Sequence, residues 1–175
     1  MNNNTRLVSG NELHEIVITE QVLNAKSTVW IATADLKDMH ILKGRRFLPI
    51  LDTFDELSEN GVSFRIIHSS LPSKYFRNSL ENRHRLLAGA LELQICPRSH
   101  WKIVIVDGSF GYCGSANFTG AGLGSKSDRK RNLEIGVVST DRDWVQKLQS
   151  LFDEFWIGEH CDNCLHRHIC PDPIR

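Results

Sequence analysis

Short strand-like segments alternate with amphipathic helical segments along most of the chain, and this alternation limits the fold more than any other feature of the sequence. The strand-like segments are rich in β-branched residues, whereas the helical ones repeat apolar residues with a period near 3.6. An alternation of this kind predicts one α/β domain. Helices are predicted over residues 12–25, 47–59, about 73–90 and 144–156, strands over residues 27–33, 62–68, 91–96, 101–106, 110–113 and 133–139, and a loop over residues 36–46.

The overall composition is that of an ordinary folded chain without a membrane span. Among 175 residues, 41% are hydrophobic and 24% are charged, which excludes a chain that is disordered throughout. Lys and Arg total 21, as do Asp and Glu, so any attraction for phosphate must come from a local basic patch. No apolar run approaches the ~20 residues that span a bilayer, and the first residues lack a signal-peptide pattern. We therefore predict a cytoplasmic protein with reduced thiols.

Four polar residues flank a predicted hairpin in a pattern that indicates phosphoryl chemistry. His100 and Lys102 share one face of a strand, and the Asp-Gly turn after it returns the chain so that Ser115 and Asn117 lie level with them. An ammonium, a hydroxyl and a carboxamide form a cradle for a tetrahedral anion, and an imidazole acts as nucleophile or proton carrier. The segment has no acidic cluster for Mg²⁺, so we expect no metal cofactor in catalysis.

The same segment resembles the signature of the phospholipase D superfamily, HxKx4D followed by GSxN at this spacing, over residues 100–117. A match of this kind is expected by accident about once in a million chains of this length. The resemblance implies a phospholipase D-like sandwich, an α/β fold in which a mixed β-sheet is flanked by helices. The composition shifts after Gly158, so we predict a catalytic domain over residues 1–158 and a short Cys/His-rich, metal-binding appendage over residues 159–175.

The resemblance also assigns roles to individual side chains. In this family one histidine attacks phosphorus to form a phosphohistidine and a second histidine protonates the leaving oxygen, so His100 is expected to be the nucleophile or the acid. Lys102 and Asn117 are expected to hold the phosphate, with Ser115 assisting. Glu134 matches the acidic residue that orients the nucleophile.

The remaining motif residues are expected to be structural, and the motif itself occurs once. Asp107 lies in the predicted turn and Gly114 precedes the motif serine, so neither is assigned a chemical step. Members of the family commonly carry two copies of the motif, whereas this sequence has one. We therefore predict a homodimer in which the two His100 side chains face each other across a two-fold axis.

Basic residues near the motif favour nucleic acid as the substrate. The segment of residues 126–131 carries four positive charges against one negative, and further basic clusters lie near residues 43–46 and 77–85. We predict nucleic-acid contacts from Lys126, Arg129, Lys130 and Arg131. The sequence shows neither an interfacial helix nor a membrane anchor, which favours a metal-independent nuclease acting on DNA or RNA. A cardiolipin-type phospholipid phosphodiesterase and a non-catalytic nucleic-acid-binding module are the alternatives.

The tail carries a second candidate site. Cys161, Cys164 and Cys170 have the spacing of metal ligands, and one of three nearby histidines completes a tetrahedral Cys₃His zinc site. We take His166 as that ligand. The C-x2-C-x5-C spacing also resembles part of an iron–sulfur staple found in some unrelated nucleases, in which a distant fourth cysteine closes the cluster. Here the distant cysteines are Cys96 and Cys113, which lie in predicted strands beside the motif. Free reduced thiols are the remaining possibility.

Overall fold

A seven-stranded sheet forms the centre of the fold in the computed structural model, which describes residues 4–174 apart from the side chain of Asp128. The strands are β1 (Thr5–Ser9), β2 (Thr28–Thr33), β3 (His40–Lys43), β4 (Arg46–Pro49), β5 (Ser63–His68), β6 (Leu91–Ile95), β7 (Ile103–Val106), β8 (Phe110–Gly114) and β9 (Ile135–Ser139). The order in the sheet is β1-β9-β8-β7-β2-β5-β6, and β3 pairs with β4 in a separate hairpin.

The strand directions bring several chain segments to one edge of the sheet. β2, β5 and β6 are parallel, whereas β7, β8, β9 and β1 continue the sheet from β2 as antiparallel neighbours. The carboxyl ends of β2, β5, β6 and β8 therefore lie at the same edge as the amino ends of β7 and β9. All the predicted catalytic residues lie in chain segments at or next to this edge.

Helices cover both faces of the sheet. They are α1 (Asn11–Leu13), which continues as a π-type helix (His14–Gln21) and a 3₁₀ turn (Val22–Asn24), then α2 (Ile50–Glu59), α3 (Lys74–Glu81) and α4 (Arg142–Trp156). The larger core includes Leu13, Phe54 and Phe64 on one face, and α4 packs Val145 and Phe152 on the other. The predicted fold class, a mixed sheet flanked by helices, is confirmed.

Two elements of the fold differ from the sequence prediction. β1 was not expected, because four of its five residues are exposed and only Val8 is buried against the core. The loop predicted over residues 36–46 is wrong, since the chain forms the β3–β4 hairpin around Gly44, which has φ +63°. The basic side chains of this hairpin interrupt the alternation of apolar and polar residues from which a strand is predicted.

Two helix boundaries also differ. α2 begins at Ile50 rather than residue 47, because Pro49 is the last residue of β4 and Leu51 N–H donates to buried Asp38. The helix predicted over residues 73–90 ends as α3 at Glu81, and a short π-type turn, Leu86–Ala90, follows it. That turn ends where Gly89 takes φ +115°, which a β-carbon disfavours.

The turn residue Asp107 ties two strands together. At φ +52° it directs its carboxylate toward the start of β2, where it accepts N–H bonds from Lys26 and Ser27 at 2.8 Å and from Thr28 at 2.9 Å. Burial alone raises the pKa of Asp107, but these donors outweigh burial and hold the pKa below its ordinary value. The carboxylate thus fixes the edge of the sheet opposite the motif.

Replacing Asp107 with asparagine is expected to flatten the acid dependence of stability. A depressed folded-state pKa adds stability above the unfolded value of 3.8, and this stability is lost as the pH falls through the folded value. Denaturant unfolding between pH 6 and pH 2.5 is therefore expected to show a smaller loss for Asp107→Asn than for the wild type. Exposed Asp162→Asn is the control, and an equal acid dependence in all three proteins would contradict this role.

Candidate active site

Pairing of β7 with β8 brings the two halves of the motif level with each other. His100 and Lys102 precede β7, and Ser115 and Asn117 follow β8. Gly114 N–H donates to the carbonyl of Lys102 at 3.1 Å, so the antiparallel pairing continues beyond the regular strands. The hairpin therefore places the cation at the start of one strand beside the polar residues at the end of the other.

The side chains of His100 and Lys102 contact each other, and only that of His100 is exposed. The His100 ring is exposed, whereas Lys102 retains only 9% of its accessible surface. Lys102 Nζ lies 3.0 Å from His100 Nδ1 and donates to the His100 carbonyl at 2.7 Å. Burial lowers the pKa of Lys102, and Glu134 opposes this shift. The buried ammonium of Lys102 thus lies next to the accessible imidazole of His100.

Ser115, which follows β8, and Glu134, which precedes β9, form a second pair. Ser115 Oγ donates to Glu134 Oε2 and accepts from Ile135 N–H at 3.1 Å. Asn132 Nδ2 donates to the other carboxylate oxygen at 3.1 Å. Among the described side chains Glu134 has no hydrogen bond to His100, so its expected orienting role stays a prediction. Here the carboxylate orients the serine hydroxyl and acts electrostatically on Lys102.

Asn117 is oriented by the end of β2. Its Oδ1 accepts from Ala34 N–H at 3.1 Å, from Thr33 Oγ1 at 3.2 Å and from Asp35 N–H at 3.3 Å. With the carbonyl oxygen engaged, the amide nitrogen is left as the group that can donate to an anion. Sequence reasoning missed this support, because the three donors lie more than 80 positions earlier in the chain.

Gly114 allows β8 and β9 to approach closely at the site. A β-carbon built there would lie 2.6 Å from the Ile135 carbonyl oxygen, 2.7 Å from Gly136 Cα and closer still to the Tyr112 hydroxyl. That buried hydroxyl in turn accepts from Ala116 N–H at 3.2 Å. A glycine is therefore needed at position 114, because the neighbouring atoms leave no space for a β-carbon.

Residues 115–127, which follow β8, form a loop that we call the motif loop. A groove of about 520 Å³ lies between this loop and the β3–β4 hairpin, and we call it the basic groove. Lys126 and Lys130 line it together with Lys37, which the sequence analysis did not single out. The exposed Phe47 of β4 closes one side. Lys37 N–H also donates to Phe118 O, one residue past Asn117, so the groove begins at the motif loop.

The other basic residues have different surroundings. Arg129 is exposed outside the lining of the basic groove, and Arg131 donates to the Gly122 carbonyl at 3.2 Å. The clusters near residues 43–46 and 77–85 are partly neutralised by acids of α2, in the pairs Lys43–Glu56, Arg83–Asp52 and Arg85–Glu59. In the basic groove, Lys37 is likewise paired with Asp35 at 2.7 Å, so Lys126 and Lys130 supply most of its positive charge.

The tail folds as a series of turns after α4 and includes a 3₁₀ turn, Arg167–Ile169. Across residues 4–174, no three His, Cys, Asp or Glu side chains are arranged to hold a metal ion. The zinc site at Cys161, Cys164, Cys170 and His166, and its iron–sulfur alternative, therefore stay predictions, as does a domain boundary at residue 158. No helix in the described part of the chain is long and apolar enough to cross a membrane.

The comparisons with known proteins assign the chain to a family. The family described as "Cardiolipin synthase, PLD-like domain" matches residues 18–156 and so spans most of the sheet and the entire motif. The chain belongs to the phospholipase D superfamily. No curated protein matches the sequence.

Solved structures show the same fold as this phospholipase D-like chain. NucT from Helicobacter pylori superposes with a TM-score of 0.61 at 14% identity, covering 87% of this chain and 94% of that one. Nuc from Salmonella typhimurium, a phospholipase D family member, gives 0.60 at 16% identity, with 87% and 93% covered. TrmBL2, an archaeal chromatin protein whose structure shows a novel mode of DNA binding, gives 0.56 at 18% identity, with 89% and 53% covered.

Proposed function

We propose that this phospholipase D-like chain is a metal-independent nuclease that cleaves phosphodiester bonds through a phosphohistidine. The observation that carries the proposal is the exposed imidazole of His100 next to the buried Lys102 ammonium, at the same edge of the sheet as the Asn117 amide. These groups can supply a nucleophile and two anion-binding donors. The basic groove that starts at the motif loop supports a long polyanionic substrate.

The proposed reaction uses two displacements at phosphorus. In the first, a His100 ring nitrogen forms a bond to phosphorus, the bond to the leaving oxygen breaks, and a second imidazole gives that oxygen a proton. In the second, the oxygen of a water molecule forms a bond to phosphorus, the phosphorus–nitrogen bond breaks, and the second imidazole accepts a proton from that water. Lys102 and Asn117 stabilise the non-bridging oxygens in both steps.

The second imidazole is supplied by another copy of the chain, because the sequence carries one motif. An apolar face on β1 and β9 fits this role: Leu7 is 67% exposed, Ile135 is 51% exposed, and Leu7 lies opposite Val137 on the same face. The face borders Glu134, so a two-fold contact across it brings two sites together. We propose a homodimer formed through this face.

Replacing Ile135 with aspartate is expected to give a monomer with at least tenfold lower cleavage activity, because a carboxylate is costly in an apolar contact. Light scattering during size-exclusion chromatography measures the oligomeric state. Leu165→Asp, at a tail position that is 87% exposed, is the matched control and should stay dimeric and active. A wild-type protein that is monomeric and fully active would contradict the dimer.

The lysines of the basic groove are expected to set the salt dependence of binding. Replacing Lys126 and Lys130 with alanine should weaken single-stranded DNA binding and reduce the slope of log affinity against log salt by about 1.4. Fluorescence anisotropy over a range of salt concentrations measures both quantities. Lys147→Ala, an exposed position on α4, is the control, and an unchanged slope in the double variant would place the DNA elsewhere.

A phospholipid phosphodiesterase is the second candidate, since the matched family is described by a cardiolipin synthase. The deciding experiment compares single-stranded DNA, duplex DNA, RNA and cardiolipin as substrates in the presence of EDTA. The nuclease proposal predicts cleavage of nucleic acid that requires His100. Turnover of cardiolipin alone would favour the lipid enzyme, and binding of nucleic acid without cleavage of any substrate would favour a non-catalytic module.

A further inference from the structure

Four of the five cysteines line one cavity between the tail and the end of β6. They are Cys96, which follows β6, and Cys161, Cys164 and Cys170 of the tail, whereas Cys113 lies exposed on β8. The cavity has a volume of about 30 Å³. Residues distant in sequence thus line a common space.

Few other contacts hold the tail against the sheet. Ile95 N–H donates to Asp172 Oδ2 at 3.2 Å, Cys170 Sγ lies 3.8 Å from the Ile95 carbonyl, and Arg98 Nη1 donates to Cys164 Sγ at 3.6 Å. Two large apolar residues of the tail point away from the core, with Leu165 87% exposed and Ile169 61% exposed. A segment of turns that buries so little apolar surface needs a cross-link to keep one conformation.

We propose that Cys96, Cys161, Cys164 and Cys170 together bind a thiophilic metal centre that fastens the tail to the end of β6. Four thiolates are the complete ligand set of a structural zinc ion and of a [4Fe–4S] cluster. No three of these side chains have ligand geometry in the described structure, so zinc would have to draw the sulfurs in until each lies about 2.3 Å from the ion, whereas a cluster bridges thiols that stand further apart. In both cases the centre would occupy the cavity that the four cysteines line.

This ligand set replaces the Cys₃His set predicted from the sequence. His166 also borders the cavity, but its side chain is exposed, whereas Cys96 is half-buried. Cys96 belongs to the segment that leads into the catalytic motif, and Ser99 N–H donates to its carbonyl at 2.9 Å. The metal centre therefore anchors the turn that precedes His100, and Cys96 is a positioning residue for that turn.

Metal analysis of the full chain, purified without oxygen, tests the proposal. We expect about one zinc, or about four iron and four acid-labile sulfide, per chain. Serine substitution of Cys96 should lower the metal content at least tenfold, as should serine at each tail cysteine. Cys113→Ser and His166→Ala are the matched controls and should keep the metal.

Titration of thiols in the native wild type provides a measurement that needs no variant. One thiol, that of the exposed Cys113, should react in the native protein, and all five should react after denaturation with a chelator. A metal-free wild type, five rapidly reacting native thiols, or a Cys96→Ser protein that retains its metal while His166→Ala loses it would each overturn the proposal. None of these readouts depends on cleavage activity, so they test the metal centre independently of the proposed nuclease function.

Discussion

Substituting alanine for His100 is expected to lower the rate of phosphodiester cleavage by about 10⁴-fold or more, because the nucleophile of a two-displacement reaction is lost. The side chain is exposed, so its removal leaves no cavity and should change Tm by less than about 2 °C. Single-turnover cleavage of an end-labelled oligonucleotide in EDTA measures the rate, and thermal unfolding measures Tm.

Two comparisons make this prediction specific to His100. His84→Ala removes an imidazole that is also exposed, three residues after the end of α3, and should cleave at the wild-type rate. The His100→Ala protein should still bind single-stranded DNA within about threefold of the wild type, since Lys102 and the basic groove are intact. Equal cleavage by the wild type and His100→Ala would remove this histidine from the reaction.

Replacing Gly114 with alanine is expected to give the largest loss of stability, of about 2–3 kcal/mol, with a Tm lower by about 5–10 °C. The added methyl group meets the Ile135 carbonyl oxygen at 2.6 Å and Gly136 Cα at 2.7 Å, and these backbone atoms can move only if β8 and β9 separate. The same separation would pull Ser115 from Glu134, so cleavage should fall as well. Thermal and urea unfolding measure the change.

Gly120→Ala is the matched control for this substitution. Its β-carbon would meet only the flexible Lys126 side chain, at 3.4 Å, and its φ lies outside the left-handed region. We expect a change in the free energy of unfolding below about 0.5 kcal/mol. A Gly114→Ala protein as stable as Gly120→Ala would show that the two strands do not pack as closely as described.

The sequence predicted those parts of the fold and site that depend on local patterns. The period-two strands, the Asp-Gly turn after β7 and the amphipathic α4 each carry their signal within a few residues, so the sheet and the level placement of Lys102 and Ser115 followed from them. The edge strand β1 and the β3–β4 hairpin did not follow. Their residues are largely exposed, and the apolar alternation that marks a strand is weak there.

Contacts between distant segments could not be read from the chain. The Thr33, Ala34 and Asp35 donors that orient Asn117 are set by the pairing of β2 with β7, which a single sequence does not show. The same limit left Cys96 and Cys113 as alternative distant cysteines, because the approach of Cys96 to the tail depends on where α4 ends relative to β6. Lys37 was missed for a different reason: a lone lysine in a loop has no distinguishing pattern.

The stereochemical course at phosphorus tests most directly whether His100 forms a covalent intermediate. Each in-line displacement inverts phosphorus, so two displacements restore the original configuration. An oligonucleotide with one chiral phosphorothioate linkage, cleaved in ¹⁸O-labelled water with EDTA present, is predicted to give a product with retained configuration. Inverted configuration would show that water attacks phosphorus directly and would contradict the phosphohistidine mechanism.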